Sequence, residues 1–99
     1  MYHIIETEVF SRWLHSLKDQ VTKARLLKRL RKAALGNLGD VKSVGDGVFE
    51  MREFFGPGWR MYYFHRDDMI ILMLGGGTKS TQGRDIQKAI GLAQELNHD

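Results

Sequence analysis

The sequence contains no cysteine, a single proline and no long apolar run. Without cysteine the chain has neither a disulfide nor a thiolate metal site, which suits a reducing compartment. The longest apolar stretch, residues 69–74, is far shorter than the roughly 20 residues that a transmembrane helix requires. The first residues also lack a basic leader followed by an apolar segment. We therefore expect a cytoplasmic protein that makes no membrane contact.

Acidic residues are missing from one stretch, because no Asp or Glu occurs between Asp19 and Asp40. Basic residues are concentrated there, although the net charge of the chain is only +3. Such a segment predicts a polyanion or an acidic protein as a partner, and a solvated helix face is the alternative. The residues that we expect to line the exposed side of this helix are Arg25, Lys28, Arg29 and Lys32.

Hydrophobic periodicity predicts one α+β domain over residues 1–99, with the element order β-α-α-β-β-β-β-α. Apolar residues at helical spacing indicate a helical hairpin near the N-terminus and a C-terminal helix with Ser80 or Thr81 as its N-cap. The strands should form a mostly antiparallel sheet. Residues 69–74 are apolar without alternation, which predicts a strand buried on both faces that ends at the glycines 75–77. The other predicted strands are residues 2–5, 40–44, 48–55 and 59–65.

A hairpin connection at Gly56-Pro57-Gly58 organises the central part of the chain, because proline fixes φ and glycine accepts φ > 0. Alternation puts Glu50 and Arg52 on one face of the strand before it, and Arg60 and Tyr62 on one face of the strand after it. If the two faces coincide, two guanidinium groups meet. Because unpaired buried charge costs several kcal/mol, we expect solvent, Glu50 or an anionic ligand beside them.

The segment 75–81 (GGGTKST) lacks the Gly-Lys-Ser/Thr order of a P-loop, so we reject nucleotide hydrolysis. A glycine-rich turn before a helix would still expose backbone N–H groups, and Lys79 beside it would favour a phosphate. A plain strand-to-helix connector is the alternative. The histidines are scattered without i, i+4 pairing, which predicts that the chain has no metal site. They are His3, His15, His65 and His98.

Several segments together resemble a known family. The sequence resembles toxins of the RelE/ParE superfamily of bacterial type II toxin–antitoxin modules, specifically the small HigB-like branch of addiction module killer proteins. The resemblance covers nearly the whole chain. It is carried by residues 10–14 (FSRWL), 23–25 (KAR), 35–42 (LGNLGDVK), 49–52 (FEMR), 58–63 (GWRMYY) and 75–82 (GGGTKSTQ).

This resemblance implies a helical hairpin on a curved antiparallel sheet, with an active groove on its concave face. It implies a ribosome-dependent mRNA endonuclease that needs neither a metal nor another cofactor and that a cognate antitoxin neutralises. The RNA 2′-OH would attack the adjacent phosphate while cationic side chains stabilise the developing charge. By position, the resemblance implies catalytic roles for Arg60, Lys79 and Arg52. For Tyr62 it suggests base stacking or proton exchange, with cross-strand packing as the alternative.

One departure from the resemblance concerns proton transfer. Ribonuclease members often carry a catalytic tyrosine or histidine near the C-terminus, where this chain has residues 85–88 (DIQK). Gln82, Asp85 or Tyr62 could take that role, with only the distant His98 beyond them. The rival function is non-nucleolytic inhibition of DNA gyrase, as in ParE-type toxins, and a third is a remnant without toxicity. The basic helix and the three clustered cations favour RNA.

Overall fold

Helices lie on both faces of a central β-sheet in the computed structural model, which describes residues 1–97. The element order is the predicted one. The strands are β1 (His3–Glu6), β2 (Val41–Gly45), β3 (Val48–Arg52), β4 (Trp59–His65) and β5 (Ile70–Thr78). The helices are α1 (Glu8–Ser16), α2 (Gln20–Ala34) and α3 (Gln82–Leu96), with a 3-10 turn at Lys79–Thr81 before α3. His98 lies outside the described residues.

The predicted helical hairpin consists of α1 and α2, and each helix begins at a capping side chain. The Thr7 hydroxyl accepts a hydrogen bond from the Phe10 amide at 3.2 Å, and the Asp19 carboxylate accepts one from the Val21 amide at 3.1 Å. Such caps satisfy amides that have no partner within the helix. After α2, Gly36 takes a φ of 103°, a left-handed conformation that is common just beyond the end of a helix.

The sheet is mostly antiparallel, as predicted, and its strand order is β1-β5-β4-β3-β2. Only β1 and β5 pair in parallel among the described strands. The apolar part of β5 lies inside the sheet, and its residues 71–74 are buried. This confirms the predicted strand covered on both faces for residues 71–74, whereas Met69 precedes the strand and is 60% exposed.

The prediction that Gly75-Gly76-Gly77 ends this strand is wrong, because β5 continues through them to Thr78. Pairing with β4 continues along these residues, and a Cβ atom at Gly76 would collide with the Trp13 ring. Glycine is therefore required by a neighbouring side chain rather than by a turn. The expected glycine-rich turn before α3 is thus absent, and the 3-10 turn takes its place.

The connection between β3 and β4 is longer than predicted, since β3 ends at Arg52 and β4 begins at Trp59. The glycines behave as expected, with φ of 56° at Gly56 and 80° at Gly58. The amide of Gly58 donates to the Phe55 carbonyl at 3.1 Å, which closes the loop. This loop, residues 53–58, borders the candidate site.

Two apolar clusters cover the two faces of the sheet. On the face that packs against α1 and α2, called here the hairpin face, the buried residues include Phe10, Leu26, Met51, Met61 and Tyr63. On the face under α3, called here the α3 face, they include Val48, Tyr62, Phe64, Leu72 and Ala89. No helix within residues 1–97 combines the length and the apolar composition needed to cross a membrane.

Candidate functional site

The strand register brings the predicted site residues onto the α3 face. Glu50 is the partner of Tyr62, and Arg52 is the partner of Arg60, so the two strands present these side chains on the same side. On the next strand, Gly77 is opposite Arg60 and Gly75 is opposite Tyr62. The glycines leave space beside the charged side chains. The two faces therefore coincide, which is the condition under which the two guanidinium groups come close together.

A fully buried carboxylate, that of Glu50, lies at the centre of this face. Its Oε2 atom accepts hydrogen bonds from the Tyr62 hydroxyl at 3.1 Å and from Gln82 Nε2 at 2.9 Å. The same oxygen lies 3.8 Å from Arg60 Nε. Two donors and one cation stabilise the buried negative charge. Oε1 has no hydrogen-bond partner among the described residues.

Arg60 is held from two sides and is only 6% exposed. Its Nη1 atom donates to the Gly58 carbonyl at 2.9 Å, while Nε faces Glu50. Neither Nε nor Nη2 makes a hydrogen bond within residues 1–97. One hydrogen bond and one ion pair therefore orient the guanidinium, and two of its nitrogens keep N–H donors without a partner.

Arg52 pairs with Asp40 and not with Glu50. Its Nη2 atom donates to the Asp40 carboxylate at 2.9 Å. This hydrogen bond is the main reason why the pKa of Arg52 is raised above its ordinary value. Arg52 is half-buried, and the negative charge of Asp40 compensates part of its positive charge.

Tyr62 is fully buried, and its hydroxyl is committed to Glu50. Burial is the largest cause that raises the pKa of Tyr62, followed by the negative charge of Glu50. The phenol therefore stays protonated at neutral pH. A ring without exposed surface has no face for a nucleotide base, so the predicted stacking role conflicts with the structure, whereas cross-strand packing agrees with it.

Lys79 lies at the start of the 3-10 turn and is exposed. Both Lys79 and Arg60 lie next to Gly58. A Cβ atom added to Gly58 would lie 2.9 Å from Arg60 Nη1 and 3.3 Å from Lys79 Cβ. Since Arg52 is the strand partner of Arg60, three of the four predicted catalytic residues come together at this end of the sheet. We call Arg52, Arg60 and Lys79 the cationic cluster.

On α2, three of the four predicted basic residues are exposed, namely Arg25, Lys28 and Lys32. They border a cleft of about 230 Å³ that also includes Arg29 and Glu53. The guanidinium of Arg25 lies 3.7 Å from the centre of the Phe55 ring, a cation–π contact. This cleft reaches the same 53–58 loop as the cationic cluster.

The expectation that Arg29 lies on the exposed side of α2 is wrong, because it is only 9% exposed. Its guanidinium donates to the Asp40 carbonyl at 2.7 Å and to the Arg52 carbonyl at 2.9 Å, and it pairs with Glu53. Two further hydrogen bonds reach the Leu38 carbonyl. Arg29 thus ties α2 to the end of β3, which is a structural role.

The sequence contained a signal for this burial that the charge pattern hid. Arg29 lies three residues after Leu26 and four before Ala33, so helical spacing places it on the apolar side of α2. Both of those residues are fully buried. A basic residue at an apolar position predicts a partner within the fold rather than a partner in solution.

The candidate proton-transfer groups differ in their surroundings. Asp85 is half-buried beside Gly77, and its Oδ2 atom accepts a hydrogen bond from the Thr81 hydroxyl at 2.5 Å. Gln82 donates to Glu50. His65 lies five residues along β4 from Arg60, about 16 Å away at the usual rise per residue, and makes edge-on contacts with the rings of Phe49 and Tyr63. Asp85 is therefore a half-buried carboxylate beside Gly77, the strand partner of Arg60.

Metal ligands are not gathered at this site. Within the part of the chain that the structure describes, no three or more His, Asp or Glu side chains are grouped so that they could hold a metal ion.

Comparison with known proteins supplies the family. Residues 12–97 match the family described as "Phage derived protein Gp49-like (DUF891)". The chain belongs to the Gp49-like family. This is a toxin-like family of toxin–antitoxin modules. An uncharacterized protein of Haemophilus influenzae is 44% identical over 90 residues, which is 91% of each chain. Neither comparison identifies the chain as a member of the RelE/ParE superfamily or of its HigB-like branch, so that assignment stays a prediction.

Proposed function

We propose that this chain is the toxin of a type II toxin–antitoxin module and that it arrests translation by cutting mRNA on the ribosome. The observation that carries the proposal is the meeting of Arg60 and Lys79 at Gly58, with Arg52 opposite Arg60. Three cations at one edge of a sheet attract a polyanion. The Gp49-like family, as a toxin-like family, is consistent with this role.

In the proposed reaction the RNA 2′-OH attacks the adjacent phosphorus. The new O2′–P bond forms as the P–O5′ bond breaks, the 2′ proton passes to a base, and the leaving 5′ oxygen takes a proton from an acid. Negative charge builds on the non-bridging oxygens, where Arg60 Nη2 and the Lys79 ammonium would donate. A preorganised donor of this kind contributes roughly 3–4 kcal/mol to transition-state stabilisation.

Arg60 suits this role because its orientation is set before RNA binds. The Gly58 carbonyl accepts a hydrogen bond from Nη1, and the Glu50 carboxylate forms an ion pair with Nε at 3.8 Å. Arg52 is already paired with Asp40, which favours a supporting role. For the proton, we propose Asp85 as the base, since it carries a carboxylate next to Gly77, the strand partner of Arg60.

Substrate binding would involve the exposed basic residues of α2. Arg25, Lys28 and Lys32 lie around the cleft that reaches the 53–58 loop, so an RNA strand could contact both regions. Phosphate contacts of this kind are independent of sequence and sensitive to salt. Arg29 is not part of this proposal. The proposed partners are the ribosome with its mRNA, and a cognate antitoxin, all in the cytoplasm.

The deciding experiment is primer extension on a defined mRNA in a bacterial translation reaction, with and without ribosomes. We expect codon-phased cuts only when ribosomes are present. Arg60→Ala should lower the cutting rate by about 10²–10³-fold, the usual effect of removing one transition-state donor. Arg66→Ala is the matched control, because Arg66 is an exposed arginine after the other end of β4. If Arg60→Ala is folded and cuts as fast as the native protein, the proposed site is wrong.

Inhibition of DNA gyrase without RNA cleavage is the second candidate. The observation that favours it is the burial of Tyr62 and its commitment to Glu50, which leaves the cluster without an exposed tyrosine or histidine within residues 1–97. A supercoiling assay with purified gyrase tests this candidate. Inhibition of supercoiling together with uncut mRNA would replace the ribonuclease proposal.

A further inference from the structure

Phe54 is the most exposed aromatic side chain among residues 1–97. It is 74% exposed, whereas every other Phe, Tyr and Trp in this range is buried or half-buried. A single exposed apolar side chain is common on protein surfaces and needs no function by itself. The surroundings of Phe54 distinguish it from such a residue.

The loop that carries Phe54 is held on both sides of this residue. The Glu53 amide donates to the Trp59 carbonyl at 2.9 Å. Phe55, the next residue, packs against the apolar cluster of the hairpin face, and the Arg25 guanidinium lies over its ring. Phe54 belongs to neither apolar cluster. The fold therefore uses one phenylalanine of this pair in its core and leaves the other in solvent.

The exposed ring lies beside the cationic cluster. The guanidinium carbon of Arg52 is 5.7 Å from the centre of the Phe54 ring, within the range of a cation–π contact. Arg60 is the strand partner of Arg52. The basic cleft of α2 reaches the same loop, through Glu53 and through the contact of Arg25 with Phe55. Phe54 is thus on the loop that joins the two basic regions assigned to RNA above.

Three carboxylates near this loop are each paired with an arginine. The pairs are Asp40 with Arg52, Glu53 with Arg29, and Glu50 with Arg60. Arg25 and Lys79 form no ion pair with any residue in 1–97. The surroundings of Phe54 are therefore mixed in charge with a positive excess, and the ring itself is uncharged. A ligand that offers both phosphates and flat aromatic groups matches this combination.

We propose that Phe54 stacks against a base of a single RNA strand whose phosphates contact the cationic cluster. This inference rests on the proposed function, which supplies RNA as the substrate. Tyr62 cannot form such a stack because it is fully buried, whereas the Phe54 ring is accessible. Bases within a duplex already stack on one another, so an exposed ring favours single-stranded RNA. Because every base has a flat face, Phe54 contributes affinity and preference for a single strand rather than sequence recognition.

Binding of a short single-stranded RNA that contains one 2-aminopurine tests the inference. The RNA is 2′-O-methylated, so that it cannot be cut by attack of a 2′-OH. Fluorescence of 2-aminopurine reports stacking, and a titration gives the affinity. Three variants separate the properties of the ring: Phe54→Ala removes it, Phe54→Leu keeps apolar surface without an aromatic ring, and Phe54→Trp keeps an aromatic ring. Met69→Ala is the matched control, since Met69 is an exposed apolar residue in the turn before β5.

We expect Phe54→Ala and Phe54→Leu to bind the single strand roughly 5–150-fold more weakly, the usual effect of losing one base–aromatic stack. Phe54→Trp and Met69→Ala should bind as the native chain does. The fluorescence change should be lost in Phe54→Ala and kept in Phe54→Trp. Affinity for duplex RNA should be the same for the native chain and Phe54→Ala, because paired bases are not accessible.

Salt dependence separates stacking from an indirect effect on Arg52. A stack releases no counterions, so Phe54→Ala should leave the slope of log affinity against log salt unchanged. A smaller slope in Phe54→Ala would mean that the ring acts by orienting Arg52, and it would overturn the inference. Native affinity in Phe54→Ala or Phe54→Leu would also overturn it, as would a native chain that does not bind the single strand. If the native chain stacks the base through Phe54 but cuts no mRNA in the primer-extension assay, the proposed function alone is wrong.

Discussion

The two faces of the sheet bury neighbouring residues in opposite ways. Met51 and Tyr63 lie on the hairpin face among apolar side chains, whereas Glu50 and Tyr62, each one residue earlier, lie on the α3 face around a buried charge. All four are buried to at least 99%. Apolar packing stabilises the first face without directional requirements, but the second depends on each polar partner. A fold that maintains such a network beside exposed cations is consistent with a site on that face.

Removing the central carboxylate should have the largest effect on stability. In Glu50→Ala, the buried Arg60 loses its ion-pair partner, and Tyr62 and Gln82 lose their acceptor. We expect the free energy of unfolding to fall by about 3–5 kcal/mol, as is usual when one half of a buried pair is deleted. Urea unfolding measures the loss.

A second substitution separates two causes of the stability loss in Glu50→Ala, the unpaired charge of Arg60 and the cavity left by the smaller side chain. The double variant Glu50→Leu/Arg60→Met removes both charges, so it should recover part of the stability that Glu50→Ala loses. On the hairpin face, Met51→Ala should be destabilised by its cavity alone. Adding Arg60→Met to Met51→Ala should therefore restore no stability. Equal stability of the single and double variants at position 50 would contradict the ion-pair explanation.

The adjacent tyrosines provide a smaller and more local comparison. Tyr62→Phe removes a donor to a buried carboxylate and should lower the free energy of unfolding by about 1.5–3 kcal/mol. Tyr63→Phe removes a hydroxyl that makes no side-chain hydrogen bond within residues 1–97, so its effect should stay within about 0.5 kcal/mol. Thermal unfolding of both variants under one condition measures the difference. A larger loss of stability for Tyr63→Phe than for Tyr62→Phe would contradict the stabilising role of the hydrogen bond between Tyr62 and Glu50.

Alkaline pH tests both faces together. Burial raises the pKa of Tyr63 to about 12, and burial with the Glu50 charge raises the pKa of Tyr62 further above its ordinary value of 10.0. A raised folded-state pKa contributes stability that is fully present below pH 10 and is lost as the pH rises through the folded-state value. Each tyrosine should reduce stability by up to about 1.4 kcal/mol per pH unit above pH 10.

Urea unfolding of the native chain at several pH values between about 9 and 11 measures this slope. Tyr62→Phe and Tyr63→Phe should each flatten it. If stability of the native chain does not decrease above pH 10, the two phenols do not ionise on unfolding as proposed.

The smallest expected effect concerns the exposed side of α2. Lys28→Ala should weaken ribosome or RNA binding uniformly and reduce the slope of log affinity against log salt by about 0.7–0.9, the value for one phosphate contact on single or double strands. The cutting rate at saturation should not change, in contrast to Arg60→Ala. Binding titrations at several salt concentrations measure the slope. A salt response identical to that of the native chain would remove α2 from the proposed binding surface.

Sequence patterns predicted the elements of this fold well because they depend on local periodicity. Apolar spacing located α1, α2 and α3. Alternation put Glu50 with Arg52 on one face of β3 and Arg60 with Tyr62 on one face of β4, and the register shows that the two faces coincide. Local patterns failed where a distant residue decides the outcome. Gly76 and Gly77 lie within strand β5, where Trp13 and Asp85 occupy the space that their side chains would need.

The sequence by itself determined the α+β order, the two-faced strands and the concentration of positive charge on α2, since each depends on neighbours along the chain. Only the tertiary structure decided which charges are free. Arg29 donates to backbone carbonyls and pairs with Glu53. Arg52 pairs with Asp40, and Arg60 forms an ion pair with Glu50. Lys79, in contrast, is exposed. The physical reason is that charge pairing depends on separations of a few ångströms between residues far apart in sequence. A local pattern can indicate that a charge is buried, as at Arg29, but it does not identify the partner.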